Sequence, residues 1–119
     1  MTPTSDQIPK PGEIYEIDFG GRARLAVVVS CSTANALRKS VVVCELLEDH
    51  LGAFGRNPLP TVVPAPSRST GMDKDCVLSA APYTIPRAQL KNVRGFLPPP
   101  ILADLNTALK RVFGWAAWP

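Results

Sequence analysis

Arg22 and Arg24 stand in Gly21-Arg22-Ala23-Arg24-Leu25-Ala26-Val27-Val28-Val29-Ser30, a cationic loop that runs straight into an apolar strand. At the strand's entrance Arg24 is aimed by a buried element, and its planar donor fork matches the oxygens of a phosphate. The same two arginines also read as solvated loop charges flanking a strand. Past the third apolar run comes Glu48-Asp49-His50. A carboxylate and an imidazole titrating near neutrality supply a base and an acid if they reach Arg24, and read otherwise as an acidic loop carrying a surface histidine. Tyr83 near Arg87 pairs a ring on which a splayed base can stack with a guanidinium for its phosphate. The alternative is a half-buried rim tyrosine. Ser30, Ser32 and Thr33 offer hydroxyls at the far end of the second strand, where short hydroxyl residues commonly satisfy turns.

These residues need a scaffold, and composition bounds it. A chain of 119 residues fits one domain with a modest core, small enough for an oligomer interface to add much of the buried surface. The net charge of +3 suits mild attraction to polyanions, although the acidic residues exclude a histone-like tail. Cys31, Cys44 and Cys76 are odd in number, with no CxxC spacing and no histidine pair, which argues against a zinc site or a disulfide framework. Two of them fall in or beside apolar runs as small core residues, in keeping with a reducing cytoplasm. The polar, proline-bearing N-terminus has no apolar signal region, and no stretch approaches the roughly 20 apolar residues of a membrane span. The expectation is a soluble cytoplasmic protein with no metal and no cofactor.

Residues 1–11 read as a flexible arm, and 12–119 as a single domain. Glu13 to Phe19 reads as a half-buried strand ended by Gly20-Gly21. Leu25 to Ser30, apolar on both faces, is a central strand, and Ser40 to Leu47 is a third, rich in β-branched valine. Ser32 to Lys39 reads as a polar connection. Proline and glycine from Gly52 to Ser69 predict a long loop, with room for a strand around Leu59 to Val63. Cys76 to Ala81 makes another strand, and Thr84 to Pro86 begins a turn. The convincing helix spans about 98–113. Ile101, Leu102, Leu105, Ala108, Leu109, Val112 and Phe113 form one stripe, with prolines 98 to 100 at the start, Lys110 and Arg111 in the last turn, and Gly114 after it. The pattern predicts a mainly β protein, a small barrel or strongly curved sheet closed by a C-terminal helix.

The order of these segments resembles one family. Lys10-Pro11-Gly12-Glu13-Ile14-Tyr15, Arg24 before Ala-Val-Val-Val, Val41-Val42-Val43, Asp73-Lys74-Asp75-Cys76-Val77-Leu78, Tyr83-Thr84-Ile85-Pro86-Arg87 and the closing amphipathic helix are similar, over residues 10 to 113, to the MazF/PemK toxins. The resemblance implies an SH3-like barrel with a C-terminal helix, a homodimer, and metal-independent cleavage of single-stranded RNA. It also implies a cognate antitoxin whose disordered tail fills the substrate groove. Arg24 matches the family's arginine that stabilises charge on the scissile phosphate, with Leu25 in place of the usual proline. Leu47 stands where the family has Thr or Ser. Of the later Glu-Gln-Ile-Arg-Thr-Ile-Asp stretch, Thr84 and Ile85 remain, while Ala81, Tyr83 and Pro86 replace Gln, Arg and Asp. The candidate site thus has Arg24, which the resemblance implies as phosphate stabiliser, with Glu48 and His50, read from their own chemistry, as candidate acid and base of a rebuilt site, and Arg22, Ser30, Tyr83, Thr84 and Arg87 as candidate substrate contacts. Two other functions fit the same barrel. One is a non-catalytic module holding a peptide or nucleic acid; the other is a gyrase poison similar to the CcdB toxins, which depend on a C-terminal tryptophan, as Trp115 or Trp118 would provide.

Overall fold

Strand β1 (Glu13–Phe19) buries Ile14 on one side and Tyr15 and Ile17 on the other, so both of its faces are covered. A computed structural model describes residues 8–19, 21–48 and 61–115. Strand β2 (Arg22–Val28) turns back antiparallel on β1, with Phe19 opposite Arg22 and Ile17 opposite Arg24. The two arginines therefore belong to the hairpin ladder rather than to a loop ahead of it. The hydrophobic run of β2 marks its buried end, but the hydrogen-bond register with β1 sets where the strand begins.

The helix α1 (Ser32–Leu37) replaces the polar connection expected between β2 and β3 (Ser40–Glu48). Six residues give too short a window for a helical period to show. Next come β4 (Val62–Ala65), the short α2 (Ser67–Thr70), β5 (Cys76–Ser79) and β6 (Tyr83–Pro86). A 3₁₀ turn at Arg87–Gln89 leads into β7 (Leu90–Phe96), and α3 (Pro99–Val112) closes the chain's described part. The stretch expected to begin a turn at Thr84 is thus a strand. Its Pro86, which cannot donate to a ladder, sits at the strand's last residue. The strand expected near Leu59 to Val63 lies at Val62–Ala65, and residues 49–60 lie outside the described residues.

Among the described residues all pairings are antiparallel, in the order β4-β5-β3-β2-β1-β7, with β6 also on β3. The nine residues of β3 are shared along one edge: Ser40 to Val43 pair with β6, and Leu46 to Glu48 pair with β5. The other edge of β3 pairs with β2, placing Leu25 opposite Leu46 and Ala26 opposite Glu45. Successive residues of β2 feed two cores. Val27 joins Ile14, Cys44, Leu78 and α3's Leu105, while Ala26 and Val28 join Tyr15, Ile17, Val43, Ile85 and Leu90. This is the mainly β fold with a C-terminal helix that the sequence predicts.

Helix α3 starts behind Pro98 with prolines in its first turn and ends with Lys110 and Arg111, after which Gly114 takes a positive φ of 76°. Leu105 and Ala108 are fully covered by the sheet, and each large apolar side chain so buried contributes about 1.5–3 kcal/mol. The stripe does not stay covered to its end, for Val112 and Phe113 are exposed. Pro9, close to the end of the expected arm, is fully buried, and its carbonyl accepts a hydrogen bond from Asn35 Nδ2 at 2.8 Å.

Candidate active site

Strands β2 and β3 run side by side past their last buried residues, and a cleft of about 600 Å³ opens there, lined among others by Arg22, Arg24, Leu25, Glu45, Leu47 and Glu48. Because successive side chains of a strand alternate between faces, Arg24 shares a face with Ala26, and Glu45, directly opposite Ala26, points the same way. The guanidinium Nη1 of Arg24 forms an ion pair with Glu45 Oε1. Both side chains stay partly exposed, so the pair is aimed by the sheet yet reachable from the cleft.

Tyr83 of β6 pairs with Val43, two residues before Glu45 on the same face of β3. Burial raises its phenol above the ordinary value, the charge of Glu45 adds to the rise, and Arg24 opposes it. Those influences place the ring within electrostatic reach of both partners of the ion pair. The expected substrate contacts Tyr83 and Thr84 are adjacent in a strand and face opposite ways. Thr84 is exposed opposite Val42.

Glu48 lines the same cleft as Arg24, and its Oε1 lies 3.1 Å from Lys74 Nζ. His50, expected as its partner, lies outside the described residues, as does Asp49. Arg22 is exposed at the start of β2 and belongs to the cleft lining.

Ser30 and Arg87 are not brought to Arg24. Ser30 Oγ donates to Asn35 Oδ1 and accepts from the Val42 N–H at 3.0 Å, while Arg87 Nη1 donates to the Asn35 carbonyl at 2.9 Å. Arg87 thus spends its hydrogen bond on α1, and Ser30 spends its own on α1 and β3. Asn35 itself is fully buried, and its Nδ2 also donates to the Ser30 carbonyl at 3.0 Å. A buried amide that meets its partners inside the fold is a structural hub.

Sequence reasoning singled out neither Asn35 nor Glu45. For Glu45 a signal existed: it is the charged residue inside the otherwise apolar run Val41 to Leu47. Leu47, expected from the resemblance at the family's hydroxyl position, is 42% exposed in the cleft wall rather than buried in the core.

A second, more apolar groove of about 390 Å³ lies at the C-terminal end of α3, lined by Val29, Val42, Pro82, Leu109, Phe113 and Trp115 among others. Trp115 rests against Phe113 with ring centroids 4.9 Å apart and remains 76% exposed. Trp118 lies outside the described residues. Among the described residues no group of three His, Cys, Asp or Glu is placed to hold a metal ion, and no helix is long and apolar enough to cross a membrane.

No curated protein matches the chain in sequence. Among solved structures, it is similar to an endoribonuclease from a mycobacterial species in complex with its cognate antitoxin, at 26% identity over 93% of this chain and 99% of the other, with a TM-score of 0.75. An endoribonuclease from a mycobacterial species is 25% identical over 94% and 96% of the two chains, with a TM-score of 0.74. The Mycobacterium tuberculosis toxin MazF-mt6, at 21% identity, 88% and 99% coverage and a TM-score of 0.72, shares the fold. Residues 10–113 match the family described as PemK-like, MazF-like toxin of type II toxin-antitoxin system, and a match over that much of the sequence makes the chain a member of the PemK/MazF toxin family.

Proposed function

We propose that this toxin is a cytoplasmic endoribonuclease that cuts single-stranded RNA without a metal, acts as a homodimer, and is neutralised by a cognate antitoxin with a disordered tail. The observation that carries this reading is Arg24. It sits on a buried strand, partly exposed, at the wall of an open cleft.

Attack of a ribose 2'-hydroxyl on the neighbouring phosphate needs a base, a donor for the leaving 5'-oxygen and a cation for the charge that gathers on phosphorus. Arg24 supplies the cation. Its planar fork binds two phosphate oxygens at once, which a lysine ammonium cannot do. Arg22, exposed at the same end of β2, adds positive charge along the path of the RNA backbone. The structures of similar endoribonucleases, one of them bound to its antitoxin, support the choice of substrate and partner.

Induced expression tests the reading. The wild-type protein should arrest growth and fragment cellular RNA, co-expression of its cognate antitoxin should restore both, and Arg24→Ala should abolish both effects while the protein accumulates. Growth arrest with intact RNA would instead favour a toxin of another mechanism. Neither arrest nor cleavage would favour a non-catalytic module on this barrel.

A further inference from the structure

We propose that Glu45 is the base of this site, taking the proton of the RNA 2'-hydroxyl, and that the Tyr83 hydroxyl protonates the departing 5'-oxygen. The inference rests on the endoribonuclease reading and names the groups that stand in for the hydroxyl that Leu47 does not provide.

Three placements carry it. Glu45 Oε1 meets Arg24 Nη1 directly, so a phosphate gripped by that guanidinium lies next to the carboxylate, where a base acting on the adjacent 2'-hydroxyl must be. Glu48 also lines the cleft, but its carboxylate lies against Lys74. Tyr83, opposite Val43 at the start of β6, lies across the other edge of β3 from Arg24's strand and on the face of β3 that Glu45 shares two residues further on.

Stability gives little reason for a carboxylate at this position. Glu45 lies between the buried Cys44 and Leu46 in an apolar strand, and a partly exposed ion pair is worth only about 0–1 kcal/mol. The charged groups that act on Tyr83 are Glu45 from β3 and Arg24 from β2, while Cys44 acts from the opposite face of β3. Burial and the Glu45 charge keep the Tyr83 proton in place through neutral pH, as a donor requires.

The step balances. The Glu45 carboxylate takes the 2'-hydroxyl proton as the 2'-oxygen bonds to phosphorus, and Arg24 holds the non-bridging oxygens. The bond from phosphorus to the 5'-oxygen then breaks, and that oxygen takes the Tyr83 phenolic proton. The products are a 2',3'-cyclic phosphate and a 5'-hydroxyl end. Glu45 passes its proton back to the Tyr83 phenolate through water, which restores both groups.

The test is single-turnover cleavage of one defined single-stranded RNA by the full chain and its variants, between about pH 5 and 9. Glu45→Gln should lower the single-turnover rate at saturating enzyme by about 100-fold or more without raising the enzyme concentration for half-saturation, while Glu45→Asp recovers part of the rate. Tyr83→Phe should slow the natural substrate by at least about tenfold and regain the wild-type rate on RNA with sulfur at the scissile 5'-bridging position, because a thiolate leaves without a proton. Unchanged circular dichroism and melting of each variant exclude misfolding. A Glu45→Gln enzyme within threefold of wild type, or a Tyr83→Phe enzyme that the sulfur substrate does not rescue, would overturn the assignment while an inert Arg24→Ala leaves the endoribonuclease reading standing. Wild-type protein inert on every RNA would overturn both.

Discussion

Leu47, the residue that the resemblance sets against the family's Thr or Ser, brings an apolar side chain to the cleft wall. It borders the cleft with Arg24 and is 42% exposed, so it is only partly packed and the site tolerates a polar group. Leu47→Thr should therefore cost no more than about 1.5 kcal/mol, seen as a modest fall in the melting temperature, and should raise RNA cleavage by placing a hydroxyl beside Arg24. A large loss of stability would mean that the side chain is a core residue after all. Arg24 was legible in the sequence because a charge abutting an apolar run is conspicuous, and fork geometry connects it to phosphate. Glu45 was not, although it interrupts an apolar run, because only the register of β2 against β3 brings it to Arg24. Sequence spacing has no access to a contact made across a ladder between residues 21 apart.

Among the elements, those that bury a periodic face could be read and those that do not could not. The α3 stripe and the valine-rich β3 declare themselves by period and β-branching. Strand β7 does not, because Leu90 is its one buried residue and Lys91, Asn92, Val93 and Arg94 all face solvent. Backbone pairing with β1 holds it in place, with register shifts at Ile14/Tyr15 and Tyr15/Ile17 that blur any alternation further. Helix α1 is likewise held by hydrogen bonds rather than by an apolar face. The Asn35 side chain ties the Pro9 carbonyl, the Ser30 carbonyl and the Ser30 hydroxyl together, and its backbone carbonyl receives Arg87. Asn35→Ala leaves buried partners unsatisfied and should cost about 2–3 kcal/mol, read as a lower urea midpoint at unchanged slope. Because this hub stands apart from the cleft of Arg24, the folded fraction should keep its cleavage rate. A variant as stable as the wild type would contradict the role given to Asn35.

The whole molecule packs two cores onto one curved sheet, and its buried ionisable groups tie stability to alkaline pH. Burial pushes the Cys44 thiol from 9.0 up to about 12, and burial together with Glu13 pushes the Tyr15 phenol from 10.0 up to about 12. As pH rises above 9 the unfolded chain gives up the Cys44 proton, and above 10 the Tyr15 proton, while the folded chain keeps both until about 12. The unfolded state then binds fewer protons, so stability falls as pH rises through this window. Urea unfolding followed from pH 8 upward should show a midpoint that declines above pH 9, and the Cys44→Ala variant should show a shallower decline. Function at this scale turns on the claim that the Arg24 cleft cleaves RNA. The measurement that tests it most directly is cleavage of a mixed-sequence single-stranded RNA by the purified protein in EDTA, with the Arg24→Ala and Arg24→Lys variants alongside. The wild type should cleave with 5'-hydroxyl product ends, Arg24→Ala should be slower by roughly 100-fold or more, and Arg24→Lys should recover little of the rate. Wild-type protein that leaves the RNA intact, or an Arg24→Ala variant that cuts as fast as the wild type, would contradict that claim.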